Sequence, residues 1–325
     1  MTLTIYADSN IYRYLARGEL EITTIGSVRF AYSSVHFDEM IRSQNSEALD
    51  GMRLINAVPM VSNEDKSHGI DSLGVCFEYE DPHKKFEKYR VETIGVNHDM
   101  EMALYDFLVR LMGAENFEEL QKIPDMIVEV ARELSECVDS NEVISRAAEE
   151  ADKFRNHLHN DLIHAFPIGE TRKAFGFPKG ANSKCVGVEN PIDVIWEHMR
   201  GRCRGVSKDQ FFGFEVVPGV RDEISHTGSI AACHMILNMV GFSPDKGLSK
   251  KEKIRNIVSD GQHLGLASMC DYFLTADERF FNKAEAIFKY RKANTRSIYL
   301  PYFASGMSFV MAEPGSIRKF KNEKT

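Results

Sequence analysis

Short β-branched apolar runs alternate with amphipathic helical stretches at both ends of this 325-residue chain, and that alternation restricts the fold more than any other feature. It is the pattern of a parallel sheet joined by right-handed crossovers. LTIYA (3–7) reads as a strand ending at Asp8. SNIYRYLARG follows as a helix with Ile11, Tyr14 and Leu15 on one face and Gly18 as its stop. VRFAYSS (28–34) reads as the second strand, and VHFDEMIRSQN begins the next helix. From about residue 226 the alternation resumes. SIAACHMILNMVGF, KKEKIRNIVSD and GQHLGLASMC read as three helices, DYFLT as a strand, NKAEAIFKYRK as a helix and RSIYLP as a strand.

The middle of the chain follows another rule. Residues 100–165 repeat apolar positions at helical spacing, as in Met126, Ile127, Val130, Leu134 and Cys137 after Pro124. Residues 166–225 are rich in Gly, Pro, Asn and Ser and read as irregular loop around one or two short elements. The expected organisation is an α/β core in two halves, 1–61 and 226–305, split by a mostly helical insertion at 62–225 and followed by a C-terminal tail at 306–325.

Composition removes several function classes. A hydrophobic fraction of 43% supports an ordinary core without staples. Cys76, Cys137, Cys185, Cys203, Cys233 and Cys270 form no C-x-x-C pair, so neither a zinc ribbon nor a dense disulfide framework is expected, and a reducing cytoplasm is the expected location. No stretch approaches the roughly 20 apolar residues of a membrane span, and the N-terminus lacks a basic leader, so no membrane partner is expected. A formal charge of −8 argues against a surface coated in phosphate-binding lysines while leaving room for a local basic groove. No glycine-rich nucleotide loop occurs.

The spacing of four acids then matters. If Asp260 opens a helix of about ten residues, the chain travels roughly 15 Å down the sheet, and a strand of four or five residues at about 3.3 Å each returns it. Asp277, two residues past that strand, comes back to the level of Asp260. Asp8 ends strand one, and Glu39 lies early in the helix after strand two. Four carboxylates from four segments are thus expected at the carboxyl edge of the sheet, where open α/β folds bind ligands. Packed together they repel and raise one another's pKa. A divalent cation relieves this, and hard oxygen donors favour Mg²⁺ or Mn²⁺.

These residues resemble the PIN-like nucleases. YADSNIYRYL is similar to the opening strand and D-[ST]-N turn of that family, YSSVHFDEM to its second motif, and DGQHLGLASMCDYFLTADERF to its last two. The resemblance covers residues 1–60 and 226–305. It implies a PIN-like three-layer α/β fold with a central parallel sheet. It also implies metal-dependent endonucleolytic hydrolysis of phosphodiesters, in RNA more than DNA, with Asp8, Glu39, Asp260 and Asp277 as catalytic and metal-binding residues. Ser9, Asn10 and Thr275 are expected in support through hydroxyl or amide hydrogen bonds. The long insertion departs from small members of the family and is expected to shape substrate access or an interface, either with a protein partner or within a homo-oligomer.

Other readings compete. Each acid taken singly reads as a helix cap or a surface residue, with Asp38 and Glu278 as neighbours able to take the roles of Glu39 and Asp277, and Asp271 as structural. A catalytically weak nucleic-acid-binding or regulatory module with the same fold is the alternative to an enzyme. Arg200, Arg202, Arg204 and Lys208, beside Phe211 and Phe212, form a candidate phosphate and base-stacking patch, against a solvated loop. His157, His159, Asp161 and His164 in NHLHNDLIH form a weak zinc pattern. Cys233 and His234 read as core, and His226 and His263 as structural histidines near the acidic edge.

Overall fold

Strand-forming sequence from the two ends of the chain meets in one sheet. LTIYA is strand β1 (Leu3–Ala7), followed by β2 (Leu20–Thr24), β3 (Val28–Tyr32), β4 (Val58–Glu64), β5 (Leu73–Phe77), β6 (Tyr272–Thr275) and β7 (Arg296–Tyr299). These come from a computed structural model that describes residues 2–24, 27–64, 73–77, 79–93, 141–157, most of 185–216, 224–246, 251–301, 307–311 and 317–321, with isolated positions between 124 and 132. The large sheet has the order β5-β4-β3-β1-β6-β7. Five of its strands are parallel, and β5 pairs antiparallel with β4. β1 is central, with Ile5 opposite Phe30 on one side and Tyr272 on the other.

The helices are α1 (Ser9–Ala16), α2 (Ser34–Ser43), α3 (Ala48–Leu54), α4 (Pro82–Glu92), α5 (Asn141–His157), α6 (Pro191–Met199), α7 (Lys208–Phe211), α8 (His226–Met239), α9 (Lys251–Ala267) and α10 (Glu278–Arg291). Alternation along the strands feeds two apolar cores, one on each face, because successive side chains point oppositely. Ile5, Ala7, Phe30, Tyr32 and Leu274 pack with Ile11 and Tyr12 of α1, Phe37 and Met40 of α2, and Leu49 and Met52 of α3. Tyr6, Ala31 and Phe273 pack instead with Ile195 of α6, Cys233 and Leu237 of α8, Leu264 of α9, and Phe280 and Ile287 of α10.

Several expectations change. KKEKIRNIVSD and GQHLGLASMC do not form two helices, and Asp260 does not open one: it lies inside the continuous α9. The glycines that suggested a break serve packing, since a Cβ at Gly261 would lie 3.1 Å from Ala231 Cα and one at Gly265 2.9 Å from Thr227 Cα, both on α8. The sequence between α1 and β3 contains a further strand, β2, and the expected tail carries β8 (Met307–Met311) and β9 (Ile317–Lys321). These three form a second sheet, in which β2 runs parallel to β8 and β8 antiparallel to β9. The stretch treated as an insertion contributes a strand, β5, and Cys185, Ile192, Ile195, Met199, Phe212 and Phe214 belong to the same core as Tyr6 and Phe273. Beyond α5 and a few isolated positions, the helical reading of 100–165 lies outside the described residues.

The layer against α1 has no slack. A Cβ on Gly51 of α3 would sit 1.9 Å from the Tyr12 carbonyl oxygen, a backbone atom that cannot swing away. Gly51→Ala is expected to destabilise the fold by about 3 kcal/mol or more, beyond ordinary overpacking. Chemical denaturation checks this, and an unchanged midpoint would contradict it.

Candidate metal centre at the sheet edge

β1 has β3 on one side and β6 on the other, so connections diverge from it in opposite directions and a crevice opens at the carboxyl ends of the strands. Asp8 follows β1 and caps α1: its Oδ1 accepts from the amides of Asn10 (2.9 Å) and Ile11 (3.2 Å). Thr275 ends β6 and is fully buried; its hydroxyl donates to Asp8 Oδ2 and accepts from the Asp277 amide (3.1 Å). Asp277 in turn caps α10, accepting from the amides of Arg279 (2.7 Å) and Phe280 (3.0 Å) through Oδ1. One hydroxyl therefore ties together the acids that follow β1 and β6.

The other two acids arrive on helices. Glu39, in the second turn of α2, accepts from the Ser9 hydroxyl. Its Oε1 lies 3.4 Å from His263 Nε2, within ion-pair distance although the nitrogen is not aligned for a hydrogen bond. Asp260 is one turn before His263 on α9. Asp8, Glu39, Asp260 and Asp277 all line one cleft of about 610 Å³, together with Ser9, Asn10 and His263. Asp8 and Asp277 are thus both helix caps and cleft residues. Asp38, hydrogen-bonded to Tyr89, and Glu278 are not among the lining residues. Asp271 is remote from this edge, accepting from the Thr4 amide at 2.8 Å where β6 begins.

The environments of the acids differ. Burial pushes the Asp8 carboxyl up, against the Thr275 hydroxyl and the capping amides, which favour its ionised form. Burial pushes Asp260 well above the carboxylate range, reinforced by the charge of Asp245 and opposed by Lys283. Burial would raise Glu39 too, but the adjacent His263 outweighs it and, with the Ser9 hydroxyl, holds Glu39 down at about 2. Behind Glu39 lies a buried polar chain. The Tyr6 hydroxyl is 2.7 Å from both Ser33 Oγ and His263 Nδ1. His36 is 2.9 Å from the Ala7 carbonyl through Nε2, while its Nδ1 accepts from the Ser33 amide at 3.1 Å. Burial keeps His36 neutral by lowering its pKa to about 3.

Among the described residues, the acids and histidines whose ligand atoms lie within 4.8 Å of one another are His234, Asp245 and Asp260. The four cleft carboxylates are spread more widely. That spacing fits a hydrated Mg²⁺ or Mn²⁺, which keeps several waters and binds through one or two carboxylates, rather than a closed protein cage. Arg13, Arg42, Lys253 and Arg255 add positive charge to the same cleft, and Arg42 donates to Ser259 Oγ at 2.5 Å. Sequence reasoning missed Arg13 and Arg42, which lie outside the basic runs, whereas Lys253 and Arg255 belong to KGLSKKEKIR (246–255), a run that reads as a solvated face. It also missed Tyr6, Ser33 and His36, which read as ordinary strand and helix residues.

The arginine patch is not part of the cleft lining. Arg200 pairs with Glu197 (3.1 Å), Lys208 with Asp193 (2.6 Å), and Phe212 is buried in the core. Arg202 and Arg204 lie outside the described residues. His157 ends α5, and His159, Asp161 and His164 lie outside the described residues. His226 bonds to Ser268 at 2.9 Å, away from the cleft lining. Among the described residues no helix is long and apolar enough to cross a membrane. No family model, no curated protein and no solved structure matches this chain.

Two outcomes are expected. Thr275→Val removes the donor to buried Asp8 and the acceptor for the Asp277 amide while keeping shape. It should cost about 1–3 kcal/mol in chemical denaturation, and a change under about 0.5 kcal/mol would show that the link is idle. The second concerns pH. Because the native pKa of Asp260 is raised, its stabilising contribution is full below the unfolded carboxylate value of about 4 and is lost as pH rises through the raised value. In chelator, Asp260→Asn should therefore gain thermal stability over wild type progressively as pH rises above the ordinary carboxylate range. Added Mn²⁺ should reverse that order at the upper end, where the carboxylate is free to bind. A pH-independent difference between the two proteins would contradict this.

Proposed function

We propose that the protein is a divalent-metal-dependent nuclease of PIN-like type that hydrolyses phosphodiester bonds, RNA in preference to DNA. The observation that carries the reading is the convergence of Asp8, Glu39, Asp260 and Asp277 from four separate segments on one cleft at the point where the strand order diverges. Arginines and a lysine in the same cleft supply the complement that a phosphate backbone requires. Acids alone would repel such a polyanion.

In this reading Asp8, Asp260 and Asp277 would hold Mg²⁺ or Mn²⁺, with Glu39 beside them in the same cleft. The bound ion supplies a water of lowered pKa and neutralises charge on the scissile phosphate and leaving oxygen. The chain's own residues set the geometry. Capping amides and the Thr275 hydroxyl fix both oxygens of Asp8, so that it cannot turn away. Ser9 and His263 hold Glu39, whose depressed pKa keeps it ionised and able to orient a water by accepting its proton in a hydrogen bond. Arg13, Arg42 and Arg255 line the cleft with guanidinium groups suited to phosphate oxygens.

Asp8→Asn and Asp277→Asn separate charge from structure, since asparagine also caps helices. On single-stranded RNA with Mn²⁺, wild type should cleave, and each variant should lose at least about a hundredfold in rate, on the scale of removing one electrostatic contributor. Thermal midpoints of the variants should stay near that of wild type. Unchanged cleavage in both would end the nuclease reading.

A further inference from the structure

Asp260 has a second side. Of the close trio His234, Asp245 and Asp260, only Asp260 lines the cleft. His234 comes from α8 and Asp245 from the turn that follows it. His234 is fully buried, and neither of its ring nitrogens has a hydrogen-bond partner among the described residues. The Ile257 carbonyl lies near the ring and favours a proton on it, but without good alignment. The Phe280 ring closes the other side, its centroid 5.7 Å away and edge-on. A buried imidazole without well-made hydrogen bonds is costly to fold around.

The neighbouring polar groups are already committed in a way that leaves a place open. Lys283 is fully buried and donates to Asp245 Oδ2 at 2.7 Å and Asn238 Oδ1 at 3.2 Å. Asn238 Oδ1 also accepts from the Asp245 amide at 3.1 Å, which fixes the turn carrying that acid. Asp245 therefore enters the trio with one oxygen held and the other free of any hydrogen bond among the described residues. Two carboxylates face one ammonium, with Glu39 and Asp277 adding negative potential at Asp260. Lys283 is bonded to Asp245 rather than to Asp260, and the remaining donor of the trio is the His234 imidazole.

We propose that His234, Asp245 and Asp260 form a second cation seat, beside the metal centre of the cleft and sharing Asp260 with it, for a first-row transition ion rather than Mg²⁺. An imidazole beside two carboxylates gives that preference, because nitrogen donors favour the later first-row ions while Mg²⁺ takes oxygen and water. Lys283 is the positioning residue that presents Asp245. The seat stands whether or not the cleft cleaves nucleic acid. If both sites fill, Asp260 would be shared between them.

Full-length protein stripped with chelator and titrated with Co²⁺ tests this by calorimetry and visible absorption. Wild type and Asp8→Asn should both bind Co²⁺ with a d–d band that excess Mg²⁺ does not remove. His234→Gln, with folding checked by thermal melting, should lose that band and weaken this site by no less than the ~10-fold expected for losing even an outer-shell partner. Should His234→Gln fail to fold, pulsed electron paramagnetic resonance of Mn²⁺-loaded Asp8→Asn decides. Coupling to a directly bound ¹⁴N upholds the seat and its absence overturns it. A folded His234→Gln protein with the wild-type band and affinity also overturns it, whatever the nuclease assay gives.

Discussion

The parallel pairing of β1 with β6 is the interaction on which the candidate centre depends. It aligns Ala7 with Leu274 and lets the Asp8 amide donate to the Leu274 carbonyl at 3.0 Å. Only then do Asp8 and Thr275 stand side by side, and only then does one hydroxyl bridge two acids 269 positions apart (277 minus 8). Everything outside this pair adjusts to it. α2 brings Glu39 across to Ser9, and α9 brings Asp260 and His263 from the other side. Both helices lie against β1 because its two faces present Ile5 and Ala7 to one core and Tyr6 to the other.

Much of this was legible in the sequence, and the reasons are local. LTIYA and DYFLT are short β-branched or aromatic runs that end in acids, so their strands and the level of Asp8 and Asp277 follow from chain geometry alone. The convergence of Asp260 was anticipated by a wrong route. A helix beginning at that residue was expected, whereas α9 runs from Lys251, and the glycines at 261 and 265 exist to let α8 approach. A glycine that stops a helix and one that seats a neighbour look alike until the neighbour is known.

What the sequence concealed depends on partners far along the chain. Lys283 sits in NKAEAIFKYRK, a stretch with ordinary surface-helix charge, yet it is fully buried because Asp245 and Asn238 meet it from another element. His234 sits in an apolar helix and reads as core, which it is; its proximity to Asp245 and Asp260 belongs to the packing of α8 on α9. β2, β8 and β9 form a sheet from both ends of the chain, a pairing for which no local pattern gives a signal. The arginines of 200–204 stood out by density, while the cations that line the cleft are scattered through α1, α2 and α9.

The placement of β1 also sets a schedule for synthesis. The central strand leaves the ribosome well before β6, and Thr275, the group that completes its acid, follows Asp8 by 267 residues. At about 5–20 residues per second, the nascent chain spends on the order of ten seconds to a minute with Asp8 made and its partner strand still missing. During that interval half of the cleft does not exist. Whatever chemistry this edge performs is therefore withheld until β6 has emerged and paired with β1.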